Sequence, residues 1–136
     1  MRDMNEYMVR PGLGNVGSYQ VSCVPWSSSS LAIPGSSSTP FEISFYNVTK
    51  FITVRNTRLV TDASTPLRVG FSSLGVQGSN YFVLLNGESF SADFKVSRLY
   101  LLGDTTSPTS ASVIAGLTGI ESNKLVTNWT GSEGVG

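Results

Sequence analysis

Among the side chains that do chemistry, histidine is missing altogether and cysteine occurs once, as Cys23. Without histidine the chain lacks the usual general base near neutral pH and the usual activator of a serine or cysteine nucleophile. A lone thiol cannot close an internal disulfide and makes a poor start for a zinc site, which draws on several Cys or His ligands. We read Cys23 as a small apolar residue buried on a strand. Carboxylates are the remaining route to acid–base work. Glu88, Asp62, Asp93 and Asp104 lie in or beside turns without a common spacing, so we read them as solvated surface groups. No calcium-loop pattern occurs. Gly12-Leu13-Gly14-Asn15-Val16-Gly17 has the glycines of a phosphate loop but not its Lys-Ser/Thr pair, and it lacks a strand before it and a helix after it. Tight turning or flexibility accounts for those glycines. The chain is therefore expected to be no enzyme, with no catalytic residues, no metal and no cofactor.

What would position binding groups is a β-rich body. The 136 residues suit one domain. A chain of this length buries about two-thirds of its unfolded surface, enough for a core without cross-links. Charged residues are only 13%, while 22 serines and 12 threonines supply hydration. Nine basic and nine acidic residues balance. No basic run exists to neutralise phosphates, so no specific nucleic-acid partner is expected. No apolar run after Met1 suggests a signal peptide, and none approaches a membrane span. The glycosylation patterns Asn47-Val48-Thr49 and Asn128-Trp129-Thr130 are read as chance.

Period-two alternation marks the strands. Tyr19, Val21 and Cys23 share a face of a strand over Ser18–Val24, which Pro25 ends; Ser27–Ser30 reads as a polar hinge, Leu31–Ile33 as a short edge strand, and Pro34–Pro40 as a loop. Phe41, Ile43 and Phe45 alternate with polar residues. After a bend near Asn47, Lys50–Thr57 turns Ile52 and Val54 inward. Leu67–Ser72 repeats the pattern through Leu67, Val69 and Phe71. Tyr81–Leu85 is apolar on both faces and reads as a central or covered strand. Asn86-Gly87 predicts a two-residue hairpin turn into a return strand carrying Phe90, Ala92 and Phe94. Arg98–Leu102 follows, and Ala111–Leu117 closes the set with Val113 and Ala115 inward. No long window has a helical period.

About eight short strands with one dry face each predict an all-β, antiparallel sandwich. A single eight-stranded jelly roll and an immunoglobulin-like sandwich both fit, though the Cys…Trp…Cys spacing of a true immunoglobulin is missing. The expected organisation is an N-terminal arm over 1–17, a sandwich over 18–120 and a glycine-rich tail over 121–136. Tyr7, Met8, Val9 and Trp129 are the apolar anchors those ends offer to a neighbour.

Three stretches carry a resemblance. They are Tyr7-Met8-Val9-Arg10-Pro11-Gly12 leading into Val16-Gly17-Ser18-Tyr19-Gln20-Val21-Ser22; Phe41-Glu42-Ile43-Ser44-Phe45-Tyr46-Asn47-Val48-Thr49-Lys50; and Phe90–Leu102 followed by Ala111-Ser112-Val113-Ile114-Ala115-Gly116-Leu117. Together, in overall style over roughly 7–120, they resemble small β-sandwich virion proteins of icosahedral DNA viruses and phages: vertex (penton), minor capsid and decoration proteins. The resemblance implies a structural role in the virion. Its partners would be other capsid proteins, with a homo-oligomer within the particle and no membrane. A carbohydrate- or ligand-binding module is the alternative, using aromatics such as Trp26, Tyr46, Tyr81 or Trp129.

Overall fold

The computed structural model describes residues 23–124. Within them the chain forms eight strands: β1 (Val24–Ile33), β2 (Phe41–Ser44), β3 (Asn47–Asn56), β4 (Leu67–Gly70), β5 (Phe82–Leu84), β6 (Ser89–Ala92), β7 (Arg98–Gly103) and β8 (Thr109–Glu121). A one-turn helix, α1 (Ser73–Gln77), separates β4 from β5, and a 3-10 turn over Ser122–Lys124 follows β8. All strand pairs are antiparallel. One sheet has the order β1-β8-β3-β6 and the other β2-β7-β4-β5. The fold is an all-β sandwich. Its pairing is nested: first with eighth, second with seventh, third with sixth and fourth with fifth, alternating between the sheets. An immunoglobulin arrangement sets its first strand beside its second; here β1 lies beside β8.

The alternation sorts the core as expected. Ile43, Phe45, Ile52, Val54, Leu67, Val69 and Val113 are buried and form one cluster between the sheets, joined by Leu99 and Leu101 of β7. Phe41, Phe71 and Phe90 are half-buried against it. Phe94 is the exception. It lies beyond the end of β6, 36% exposed, edge-on to Phe71 with centroids 5.7 Å apart.

Several expectations are corrected. Pro25 does not end a strand but lies within β1, opposite Gly116. Among the described residues β1 is at the edge of its sheet, the position where a strand tolerates proline. Ser27–Ser30 also belongs to β1. The register slips between Ser28 and Leu31, and Ser30 takes φ 57°, so the irregularity is a bulge in a continuing strand. Cys23 is half-buried just before β1. A side chain at Gly116 would collide with its Sγ and with the Phe51 ring, so these groups sit directly on β8. Among the described residues the β5 segment is neither central nor covered. It is the edge of its sheet, with Val83 and Leu85 exposed. Asn86-Gly87 does make a tight turn, closed by Glu88 N–H donating to Leu85 O at 2.9 Å. It is no hairpin turn, because β5 pairs with β4 while β6 pairs with β3 in the other sheet. Only Gly87 takes a positive φ, 79°, so the turn lacks the two positive values of a type I′ hairpin.

The short helix was not legible as a period. Ser72 caps it, its Oγ accepting from Gly75 N–H at 3.0 Å, and Val76 is fully buried. Residues 18–22 of the expected first strand, the 1–17 arm with its glycine loop, and the tail beyond Lys124 lie outside the described residues, as do Tyr7, Met8, Val9 and Trp129.

Candidate binding surfaces

Strand β3 ends in Asn56, a fully buried polar side chain that organises one end of the sandwich. Its Nδ2 donates to Thr65 O at 3.0 Å and to Leu84 O at 3.1 Å. Its Oδ1 accepts from Arg58 N–H at 3.0 Å, and from Thr109 Oγ1 at a marginal 3.5 Å. A buried amide is tolerated because its donors and acceptor are engaged. The same residue's backbone N–H donates to Glu88 O, and its O accepts from Gly87 N–H. One side chain therefore ties the end of β3 to β5, β8 and the loop over 57–66.

Asn86 completes the clamp from the other side. Its Oδ1 accepts from Thr65 N–H at 3.0 Å; its Nδ2 donates to Leu59 O at 3.1 Å and Ala63 O at 3.0 Å. Glu88 Oε1 accepts from Leu85 N–H at 2.7 Å. The loop so pinned carries outward-facing apolar side chains. Leu59 is 64% exposed, Val60 79% and Leu85 52%. Val60 and Leu85 line one shallow depression with Asp62 and Glu88 at its rim. Water gains nothing from such residues, whereas a partner surface burying them would.

A larger cleft of about 560 Å³ opens at the same end, between the bulged end of β1, the start of β8 and the Thr57–Arg58 corner. Ser30, Thr57 and Ser110 are among its lining residues, and Thr57 Oγ1 and Ser110 Oγ are hydrogen-bonded at 2.7 Å.

The two half-buried arginines differ in their partners. Arg68 Nε meets Asp104 Oδ1 at 2.8 Å, its Nη1 donates to Val76 O at 3.2 Å, and its guanidinium lies 4.4 Å from the Tyr81 ring centre. Asp104 is thus an ion-pair partner rather than a solvated carboxylate. Arg58 Nε is buried with no hydrogen-bond partner.

The remaining sequence candidates are placed as follows. Asp62, Glu88 and Asp93 are exposed, and no cluster of three potential metal ligands occurs among the described residues. Of the aromatics considered for sugar binding, Trp26 faces inward, edge-on to Phe45 with centroids 5.2 Å apart. Tyr81 is covered by Arg68, and among the described residues of this set only Tyr46, 78% exposed, stands free as a platform. Asn47 of the first glycosylation pattern commits its Nδ2 to Thr118 O at 2.7 Å. Sequence reasoning missed Arg58, Asn56 and the Leu59–Val60 tip. The one available signal was Leu59-Val60, two apolar residues outside any alternating run. No helix among the described residues is long and apolar enough to cross a membrane.

No family model matches the chain, and no curated protein matches it.

Proposed function

We propose that this protein is a non-enzymatic structural component of a viral particle, a vertex or minor capsid subunit or a cement protein, acting in the virion through contacts with capsid proteins or further copies of itself. The observation that carries the reading is the rigid apolar tip. Leu59, Val60 and Leu85 project from backbone held by the Asn56 and Asn86 amides. A preorganised apolar surface loses little entropy on docking. The nested strand order of the two four-stranded sheets supports the same reading, being compatible with an eight-stranded jelly roll, an architecture shared by capsid and lectin domains. Fold alone does not assign function, so the tip is what is tested. The sugar-binding alternative has less support, with Trp26 and Tyr81 both engaged internally.

The experiment is particle incorporation of the full chain carrying Val60→Asp and Leu85→Asp. Both side chains are exposed, so circular dichroism and melting should stay close to wild type. Recovery of the variant in sedimented particles should fall at least tenfold. Equal incorporation of variant and wild type would overturn the reading, as would absence of the wild-type protein from purified particles.

A further inference from the structure

We infer that the cleft beside Arg58 is a binding site for a carboxylate. The cleft volume of about 560 Å³ lies within the range of small-ligand pockets, roughly 300–1,000 Å³. Its lining residues include Arg58, the hydroxyl-bearing Ser30, Thr57 and Ser110, and Pro108. Arg58 carries the argument. Its backbone N–H is taken by Asn56 Oδ1, but its buried Nε has no acceptor. A buried donor left without a partner forfeits its hydration with nothing in return. The contrast with Arg68 shows what this fold does with a guanidinium it uses internally: a carboxylate, a carbonyl and a ring surround that one. The Arg58 Nε has the burial without the partner.

A carboxylate meets the need better than a neutral ligand does. Its two oxygens match the guanidinium fork side-on, taking Nε and one Nη together. The hydroxyls can donate to oxygen lone pairs left over. Nε is closed to solvent, so the bound state requires the Arg58 side chain to turn towards the cleft. Ser30 holds a left-handed backbone conformation, φ 57°, that a non-glycine residue disfavours, and the bulge at Ser28–Leu31 forms one wall of the cleft. The inference is independent of the particle reading. The carboxylate can belong to a free small acid or to an acidic side chain of a neighbouring chain.

The test follows the Arg58 Nε–Hε resonance of the labelled full chain by NMR. Three probes are titrated: succinate, a capped Gly-Glu-Gly peptide with an amidated end, and inorganic phosphate. A saturable shift with succinate or the peptide, lost in Arg58→Gln, is expected. Succinate alone points to a free acid, and the peptide to a neighbour's side chain. A response to neither, a response surviving in Arg58→Gln, or a larger response to phosphate overturns the inference. Should Arg58→Gln fold poorly, Ala32→Glu gives a second reading. Ala32 is exposed and lines the cleft, so a glutamate there supplies a tethered carboxylate. It should raise the melting temperature and weaken succinate binding at least tenfold. No change in either would count against the site.

Discussion

At the scale of single residues, two side chains have consequences out of proportion to their size. Asn56 satisfies two carbonyls and one N–H in a dry environment. Asn56→Ala strands them together, and each buried unpaired group costs about 1–3 kcal/mol. The expected loss is about 3 kcal/mol, read as a lower urea midpoint with an unchanged slope. A change below about 1 kcal/mol would mean that water replaces the amide. Tyr100 sets a pH response. Burial raises its pKa above the ordinary value of 10.0, and the Glu42 carboxylate, which accepts its hydroxyl proton at 2.9 Å, adds to the rise. The folded state therefore holds the phenolic proton more tightly than the unfolded state. That stabilisation is complete below about pH 10 and is lost as pH rises through the higher folded value. Denaturant midpoints from pH 8 to 11.5 should show wild type losing stability relative to Tyr100→Phe above about pH 10. Parallel curves would refute the shift.

At the scale of elements, the Asn86-Gly87 turn is the instructive case. The dipeptide was legible as a turn because its residue types tolerate the backbone it needs. What it joins was not legible, because the strands on either side carry the same alternation whether they pair with each other or with distant partners. Gly87 holds φ 79°, and a Cβ there would come within 3.1 Å of Val60 Cγ2. Gly87→Val should cost about 1–2 kcal/mol from the left-handed backbone, with crowding against Val60 adding to it. Gly87→Asn should cost less, since Asn visits that region more readily. Melting temperatures in the order wild type, Asn, Val would check the assignment; an unchanged Val variant would defeat it. The edge position of β1 explains the misread Pro25 in the same way. A proline is tolerated where its missing N–H can face solvent, and only the sheet order says whether a strand has such a side.

At the scale of the whole molecule, the core lies between two sheets whose facing residues come from across the chain. Phe45 illustrates its weight: 3% exposed and edge-on to Trp26. Phe45→Ala should cost about 3–5 kcal/mol through lost transfer energy and a residual cavity, a large part of the 5–15 kcal/mol typical of a domain. Phe94→Ala, at the open edge of the aromatic cluster, should cost about 1 kcal/mol. Equal costs from calorimetry would contradict this boundary of the core.

The sequence by itself determined the class of fold and most of the inward face. Alternation is a local property, and a strand's pleat converts it directly into sides, as at Ile43, Ile52, Val54, Val69 and Val113. It also determined the scarcity of histidine and thiol chemistry and the places of most turns. The tertiary structure decided the rest. Only it pairs β1 with β8, and so brings the end of β1, the corner at Arg58 and the start of β8 around one cleft. Only it sets Asn56 within reach of carbonyls 9 and 28 residues away. Pairing and burial at such separations depend on free energy summed over the packed sandwich, and a local pattern of residue types does not encode which distant strand supplies the partner.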